Sequence, residues 1–272
     1  MDDDTGLAAW SLTQLATALA GRLAPLCSGR AVCELGCGVQ PAALPLVRAT
    51  AQKNTSGPSN LTSSGESCEP PRRLLLTDVN VAALEQLGAK VRELEAPFAE
   101  VASLDWADDA ALDRLQGAFD LVLASEVLYY NVDLDALMRA GATILDRHHG
   151  MWIFCSFLRG TSLRALRDAA HRQGLAFRLL DIFRVNQDLL QSPAQVEGYA
   201  ALAVLHAHEL PNPLLLWKPS GLAPFEISLD DAIAEEDEEE AQATGAMWSA
   251  PFAGSDDEEK NEEKDTSANL VK

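Results

Sequence analysis

The stretch Ala31-Val-Cys-Glu-Leu-Gly-Cys-Gly38 decides the fold. Small and apolar residues from Ala31 to Leu35, followed by two glycines one residue apart, read as a buried strand running into a tight turn. Gly36 and Gly38 carry no Cβ and take positive φ without strain, so a ligand can lie against the main chain there. Glu34 is an acid near the end of a strand that should be buried. An unpaired buried carboxylate costs several kcal/mol or shifts its pKa, so a partner is required, and a cationic ligand group above the strand end is the expected one. A nucleotide-type cofactor that carries a cation suits this better than a bare phosphate. Taken alone, the segment also reads as an ordinary strand followed by a glycine turn, because two glycines are a weak motif.

Before this stretch, residues 11–23 place Leu12, Leu15, Leu19 and Leu23 on one helical face with Ser11 as N-cap. Trp10 then stands at a helix mouth, either as a hydrophobic staple or as a cofactor or substrate contact. After it, residues 42–48 read as a helix that Pro41 and Pro45 keep short. Residues 50–73, rich in Ser, Asn, Gly and Pro, lack any period and read as an inserted, disordered loop.

Downstream, apolar runs alternate with helical stretches. Strands are expected at 74–79, 98–104, 119–130, 151–157, 177–182 and 199–206, with helices at 81–94, 132–145 and 163–172. Such alternation means an α/β chain, with a parallel sheet covered on both faces. Ligands of these sheets bind beyond the carboxyl ends of the strands, near the switch in strand order. Glu34 with the glycines, Asp78, Asp105 with Trp106, and Ser125 with Glu126 all fall at the ends of the first four expected strands. Each has a plainer role open to it: Asp78 as a helix cap, Asp105 as the start of a turn, Glu126 as the partner of an arginine. Together they fit a nucleoside site, in which Asp78 accepts from both ribose hydroxyls, Asp105 from an adenine amine, and Trp106 stacks on the ring.

Charge divides the chain into a body and a tail. The net charge is −20, of which residues 226–272 carry −13 (16 acids against 3 lysines), leaving −7 for the remainder. The expected organisation is one domain over 1–224, interrupted by the loop at 50–73, and an acidic disordered tail over 225–272. A body of this sign offers no basic stripe for nucleic acid and suits basic protein partners. The five cysteines, Cys27, Cys33, Cys37, Cys68 and Cys155, form no CxxC pair and read as reduced thiols of a cytoplasmic or nuclear protein. Cys33 and Cys37, four apart, are expected on one face, without a zinc spacing. With no apolar run of about 18 residues, neither secretion nor a membrane association is expected.

In order, Gly6-x-x-x-Trp10, Glu34-Leu-Gly-Cys-Gly38, Leu76-Thr-Asp78, Leu104-Asp-Trp106 and Phe119-Asp-Leu-Val-Leu-Ala-Ser-Glu-Val-Leu-Tyr129 resemble a seven-strand S-adenosylmethionine-dependent methyltransferase. More narrowly, the set is similar to methyltransferase family 16, the protein-lysine methyltransferases of the methyltransferase-like 21 group. The resemblance implies a doubly wound, mostly parallel seven-strand sheet of the class I, Rossmann-like type. It implies S-adenosyl-L-methionine as cofactor and a lysine of a protein as methyl acceptor; a monomer is expected. By it, Trp10, Gly36, Cys37, Gly38, Asp78, Trp106 and Ser125 would line the cofactor. Glu126 and Tyr129, the family's acid-x-x-Tyr element, would face the acceptor. Relatives usually continue the glycine turn as Gly-x-Gly-x-Gly, whereas Val39-Gln40-Pro41 follows here. A nicotinamide dehydrogenase fits poorly, since it needs Gly-x-Gly-x-x-Gly and an acid about 20 residues on. A non-catalytic interaction protein that keeps the fold and works through its acidic tail is the alternative of another class.

Overall fold

In the computed structural model the described residues are 26–44, 69–129, 132–158, 161–185 and 198–207, the backbone alone for 181–185 and 198–200. They form one seven-stranded sheet: β1 (Ala31–Leu35), β2 (Arg73–Asp78), β3 (Ala99–Ser103), β4 (Leu121–Ser125), β5 (Met151–Phe157), β6 (Ala176–Val185) and β7 (Gly198–His206). Four helices run between them: α1 (Val81–Glu93), α2 (Asp109–Asp113), α3 (Leu134–Ile144) and α4 (Leu163–Arg172). The spatial order is β3-β2-β1-β4-β5-β7-β6. The first five strands pair in parallel, and β7 inserts antiparallel between β5 and β6.

Each helix opens on a side chain that accepts from an otherwise unpaired backbone N–H. Asn80 caps Ala83, Asp108 caps Ala111, Asp133 caps Ala136 and Ser162 caps Ala165. The strand period of two sorts the core into two halves. Ala31, Cys33, Leu35, Val122, Ala124, Trp152 and Phe154 pack with Leu137 and Met138 of α3 and Leu163 and Leu166 of α4. Val32, Leu74, Leu76, Leu121, Leu123 and Ile153 pack with Leu87 and Val91 of α1. The inner strands β1, β4 and β5 are therefore buried on both faces, as their unbroken apolar runs require.

The structure corrects several details of the sequence reading. Cys33 and Cys37 belong to opposite core halves, because the chain leaves the strand period at Gly36, whose φ is 64°. β4 ends at Ser125 instead of continuing to residue 130, since Glu126 takes a left-handed φ of 58°. Helix α3 begins at Leu134, after the Asp133 cap. The five-residue α2 has no apolar period to announce it. The insertion ends earlier than expected: Gly29 N–H donates to Pro70 O and Arg72 N–H to Arg30 O, tying residues 70–72 to the start of β1. The expected helix at 11–23, the rest of the insertion before residue 69, the domain end at 224 and the acidic tail lie outside the described residues.

Candidate functional site

β1 lies between β2 and β4, which is where the strand order reverses. The carboxyl ends of β1 to β4 bring Glu34, the glycine loop, Asp78, Asp105, Trp106, Ser125 and Glu126 to one edge of the sheet. Trp10 lies outside the described residues.

Gly36 is a close-approach glycine. A Cβ there would stand 2.9 Å from Val127 Cγ1 and 3.2 Å from Trp106 Cζ2, so its absence lets the residues following β4 and β3 converge on the loop. Gly38 is also left-handed, at φ 52°. Cys37 N–H donates to Thr77 O at 2.9 Å, and Gly38 N–H donates to Asp78 Oδ2 at 2.8 Å. The Cys37 side chain packs into the core, which leaves its main chain as the part that can meet a ligand. Burial pushes the Cys33 and Cys37 thiols well above their ordinary range, so neither is a thiolate near neutral pH.

Glu34 finds its partners inside the chain, which corrects the expectation of a ligand cation. Its Oε1 accepts from Ala42 N–H at 2.7 Å and its Oε2 from Ala43 N–H at 2.9 Å, and the residue is 1% exposed. Burial pushes its carboxyl up to about 7 against the opposing pull of those two N–H groups, and the Asp78 charge adds to the rise. Glu34 thus shapes the loop that follows β1.

Asp78 does not cap α1; Asn80 does. Asp78 Oδ1 accepts from Asn80 N–H at 2.9 Å while Oδ2 holds Gly38. Each of these bonds uses one acceptor site of an oxygen that offers about two, and the residue is half-buried at the sheet edge. Asp105 is exposed, and its Oδ1 accepts from Ala107 N–H at 2.8 Å, so the turn-forming role is the one seen. Trp106, half-buried, packs on the core beside it. Ser125 is half-buried and pairs in register with Cys155.

Beyond β4 the chain is tied to the end of β5 by one further backbone bond and then by side chains. Glu126 N–H donates to Cys155 O at 3.0 Å, and Glu126 Oε1 accepts from Phe157 N–H at 3.0 Å. Leu128 N–H donates to Ser156 Oγ at 3.2 Å. Glu126 is 7% exposed. Tyr129, half-buried, follows at the rim, and its carbonyl accepts from Val132 N–H at 3.0 Å.

Sequence reasoning missed four contributors. Thr77 Oγ1 donates to Glu34 O at 2.8 Å, Lys90 Nζ donates to Val39 O at 2.9 Å, and Val127 and Ser156 act as described. Ser156 did leave a signal: a hydroxyl inside the apolar run Met151–Phe157 must find a partner. A hollow of about 280 Å³ lined by Gln116, Thr143, Asp146, Arg147 and His148 lies at the amino ends of β4 and β5, across the sheet from the polar strand ends. Asp146 Oδ1 there is committed to His148 and His149 N–H groups, so the hollow brings no convergent set of reactive groups.

No family model and no curated protein matches the chain. Solved structures do. The YcgJ protein from Bacillus subtilis is 11% identical and covers 72% of this chain and 99% of its own, with a TM-score of 0.55. In a Haloferax volcanii complex between the Trm112 methyltransferase activator and a candidate methyltransferase, the matched chain is 16% identical, covering 74% of this chain and 92% of that one at a TM-score of 0.50. The magnesium protoporphyrin IX methyltransferase from Synechocystis PCC 6803, solved with bound SAH, is 15% identical over 72% of this chain and 83% of its own, at 0.48. At these identities the likeness is one of fold, and with the strand order above it gives this chain the doubly wound seven-stranded sheet of the class I methyltransferases.

Proposed function

We propose that the chain is an S-adenosyl-L-methionine-dependent methyltransferase whose acceptor is a lysine side chain of a protein. The observation that carries the cofactor is the bond from Gly38 N–H to Asp78 Oδ2, 2.8 Å long. It fixes the carboxylate at the end of β2 against the glycine loop of β1, at the reversal of strand order, while leaving acceptor capacity for vicinal hydroxyls. Val79, 53% exposed beside Asp78, and the half-buried Trp106 supply apolar surface at the same edge for a nucleobase.

When bound, the cofactor would supply a methyl group on a sulfonium, open to in-line displacement by the acceptor with the neutral thioether as leaving group. The residues of the chain position and desolvate. Asp78 orients the ribose, Gly36 and Gly38 allow close approach of the main chain, and Trp106 with Val127 closes the loop side. A lysine ammonium has no lone pair, so the acceptor must lose its proton first, and a partly buried site lowers its pKa toward that state. Glu126 and Tyr129 follow β4 at the edge where the acceptor would arrive, and the Glu126 charge would hold the amine before deprotonation. The acid-x-x-Tyr resemblance and the net charge of −20 support a basic protein segment as substrate.

Calorimetric titration of the full chain with S-adenosylhomocysteine tests the cofactor. Saturable binding with a raised melting temperature is expected. Labelled S-adenosylmethionine and a cell extract then test the acceptor, with the label expected in methyl-lysine after hydrolysis. Label in another amino acid would overturn the lysine assignment, and absence of binding would favour an interaction protein that keeps the fold.

A further inference from the structure

The loop after β1 is largely buried, with Gly36 and Gly38 half-buried. Val39, Pro41, Ala42, Ala43 and Leu44 are all buried, and Gln40 alone is exposed. A buried backbone group without a partner is costly, so each peptide needs one. Charged side chains from three elements supply four of them. Asp78 of β2 takes Gly38 N–H at 2.8 Å, and Glu34 of β1 takes Ala42 and Ala43 N–H at 2.7 and 2.9 Å. Lys90, half-buried in the last turn of α1, donates its Nζ to Val39 O at 2.9 Å across 51 residues of sequence. The lysine thus holds the carbonyl of the residue that follows Gly38, whose N–H is held by Asp78. An ammonium–carbonyl bond of this length is charge-assisted and about twice as strong as a neutral one.

We propose that Lys90 is a positioning residue for cofactor binding: by fixing the Val39 carbonyl it sets the Gly38 N–H on Asp78, and so presets the loop and the ribose acceptor together. Lys90 does not touch the cofactor. Its effect passes through the Asp78–Gly38 bond, and the inference rests on the cofactor reading above. The physical reason is preorganisation: a loop already held in its bound shape loses less freedom when the ligand arrives.

The test uses the full chain and S-adenosylhomocysteine, with Lys90→Met, which keeps the apolar stem but removes the donor, and Lys90→Arg, which returns one. Lys90→Met is expected to raise the Kd about tenfold while lowering the ligand-free melting temperature by no more than the loss of one hydrogen bond to Val39 O, and Lys90→Arg to recover most of the affinity. Combined with Asp78→Asn, the Lys90→Met loss should shrink, because the two act through one bond. Wild-type affinity in Lys90→Met overturns the inference while leaving the cofactor reading intact. A wild-type chain that fails to bind overturns both. Early melting of both variants, with weak binding in each, overturns it in favour of a general role in the fold.

Discussion

Glu126, held at a left-handed φ of 58°, turns its carboxylate back onto the end of β5, where Oε1 meets the Phe157 N–H at 3.0 Å. A left-handed non-glycine residue costs on the order of 1 kcal/mol and persists only where its surroundings fix it. Here the turn ends β4, places Val127 beside Gly36 and sends Tyr129 to the rim. The same residue thus has a structural bond and a place at the proposed acceptor edge, and two substitutions separate the roles.

Glu126→Gln keeps an oxygen for the Phe157 N–H, so its melting temperature should hold. Glu126→Ala leaves that buried N–H without this acceptor and should cost about 1–3 kcal/mol of stability. If the charge orients the acceptor amine, turnover of the Gln variant falls at least about tenfold, roughly 1.4 kcal/mol in the barrier, at unchanged cofactor affinity. Kinetics and melting on one preparation decide this. An early-melting Gln variant, or one of normal turnover, removes the acceptor-side role.

Asp78→Ala removes the acceptor of Gly38 N–H and of the proposed ribose hydroxyls together. Cofactor affinity should weaken by about 2 kcal/mol or more, as for loss of a charged hydrogen-bond partner. Calorimetry with S-adenosylhomocysteine measures it, and unchanged affinity takes Asp78 out of the site.

Glu34 gives a pH signature of defined sign. Its folded carboxyl is raised to about 7 from 4.5, chiefly by burial, so between those values the folded chain binds more protons than the unfolded one. Its contribution to stability is therefore full below about pH 4.5 and is lost as pH rises through about 7, with a slope of at most about 1.4 kcal/mol per pH unit. Glu34→Gln cannot titrate. Urea unfolding across this range should show the wild-type advantage over Glu34→Gln shrinking as pH rises, then levelling. An advantage that grows with pH would show a lowered carboxyl pKa instead.

Gly141 lets α3 lie on β5. A Cβ at that position would collide with the ring of Trp152, which is fully buried. Ala gains about 1 kcal/mol in helix propensity over Gly, but overpacking a close-packed core costs about 1–3 kcal/mol, and the indole has no solvent side to move to. Gly141→Ala should therefore destabilise the chain on denaturant unfolding despite being the better helix former. A more stable variant would show that the helix can withdraw from the strand.

β5 and α4 appear over the residues their patterns indicate, and β1 with them, because unbroken apolar runs and a capped 3.6-residue period are local properties. Two boundaries moved for local reasons: Asp133 caps α3, and the left-handed backbone of Glu126 ends β4. The polar strand ends were legible as a set, because acids stand out at the ends of otherwise apolar runs.

The sequence by itself determined the alternation of strand and helix, the glycine turn after β1 and the acids at the ends of the first strands. Only the tertiary structure decided what those acids bond to. Glu34 meets Ala42 and Ala43, Asp78 meets Gly38, and Lys90 reaches Val39 from a helix 51 residues away. It also decided that β7 enters antiparallel between β5 and β6. The reason is common to these cases. A hydrophobic period fixes which way a side chain faces within its own element, whereas the partner of a buried charge, like the neighbour of a strand, depends on which distant segment packing brings alongside.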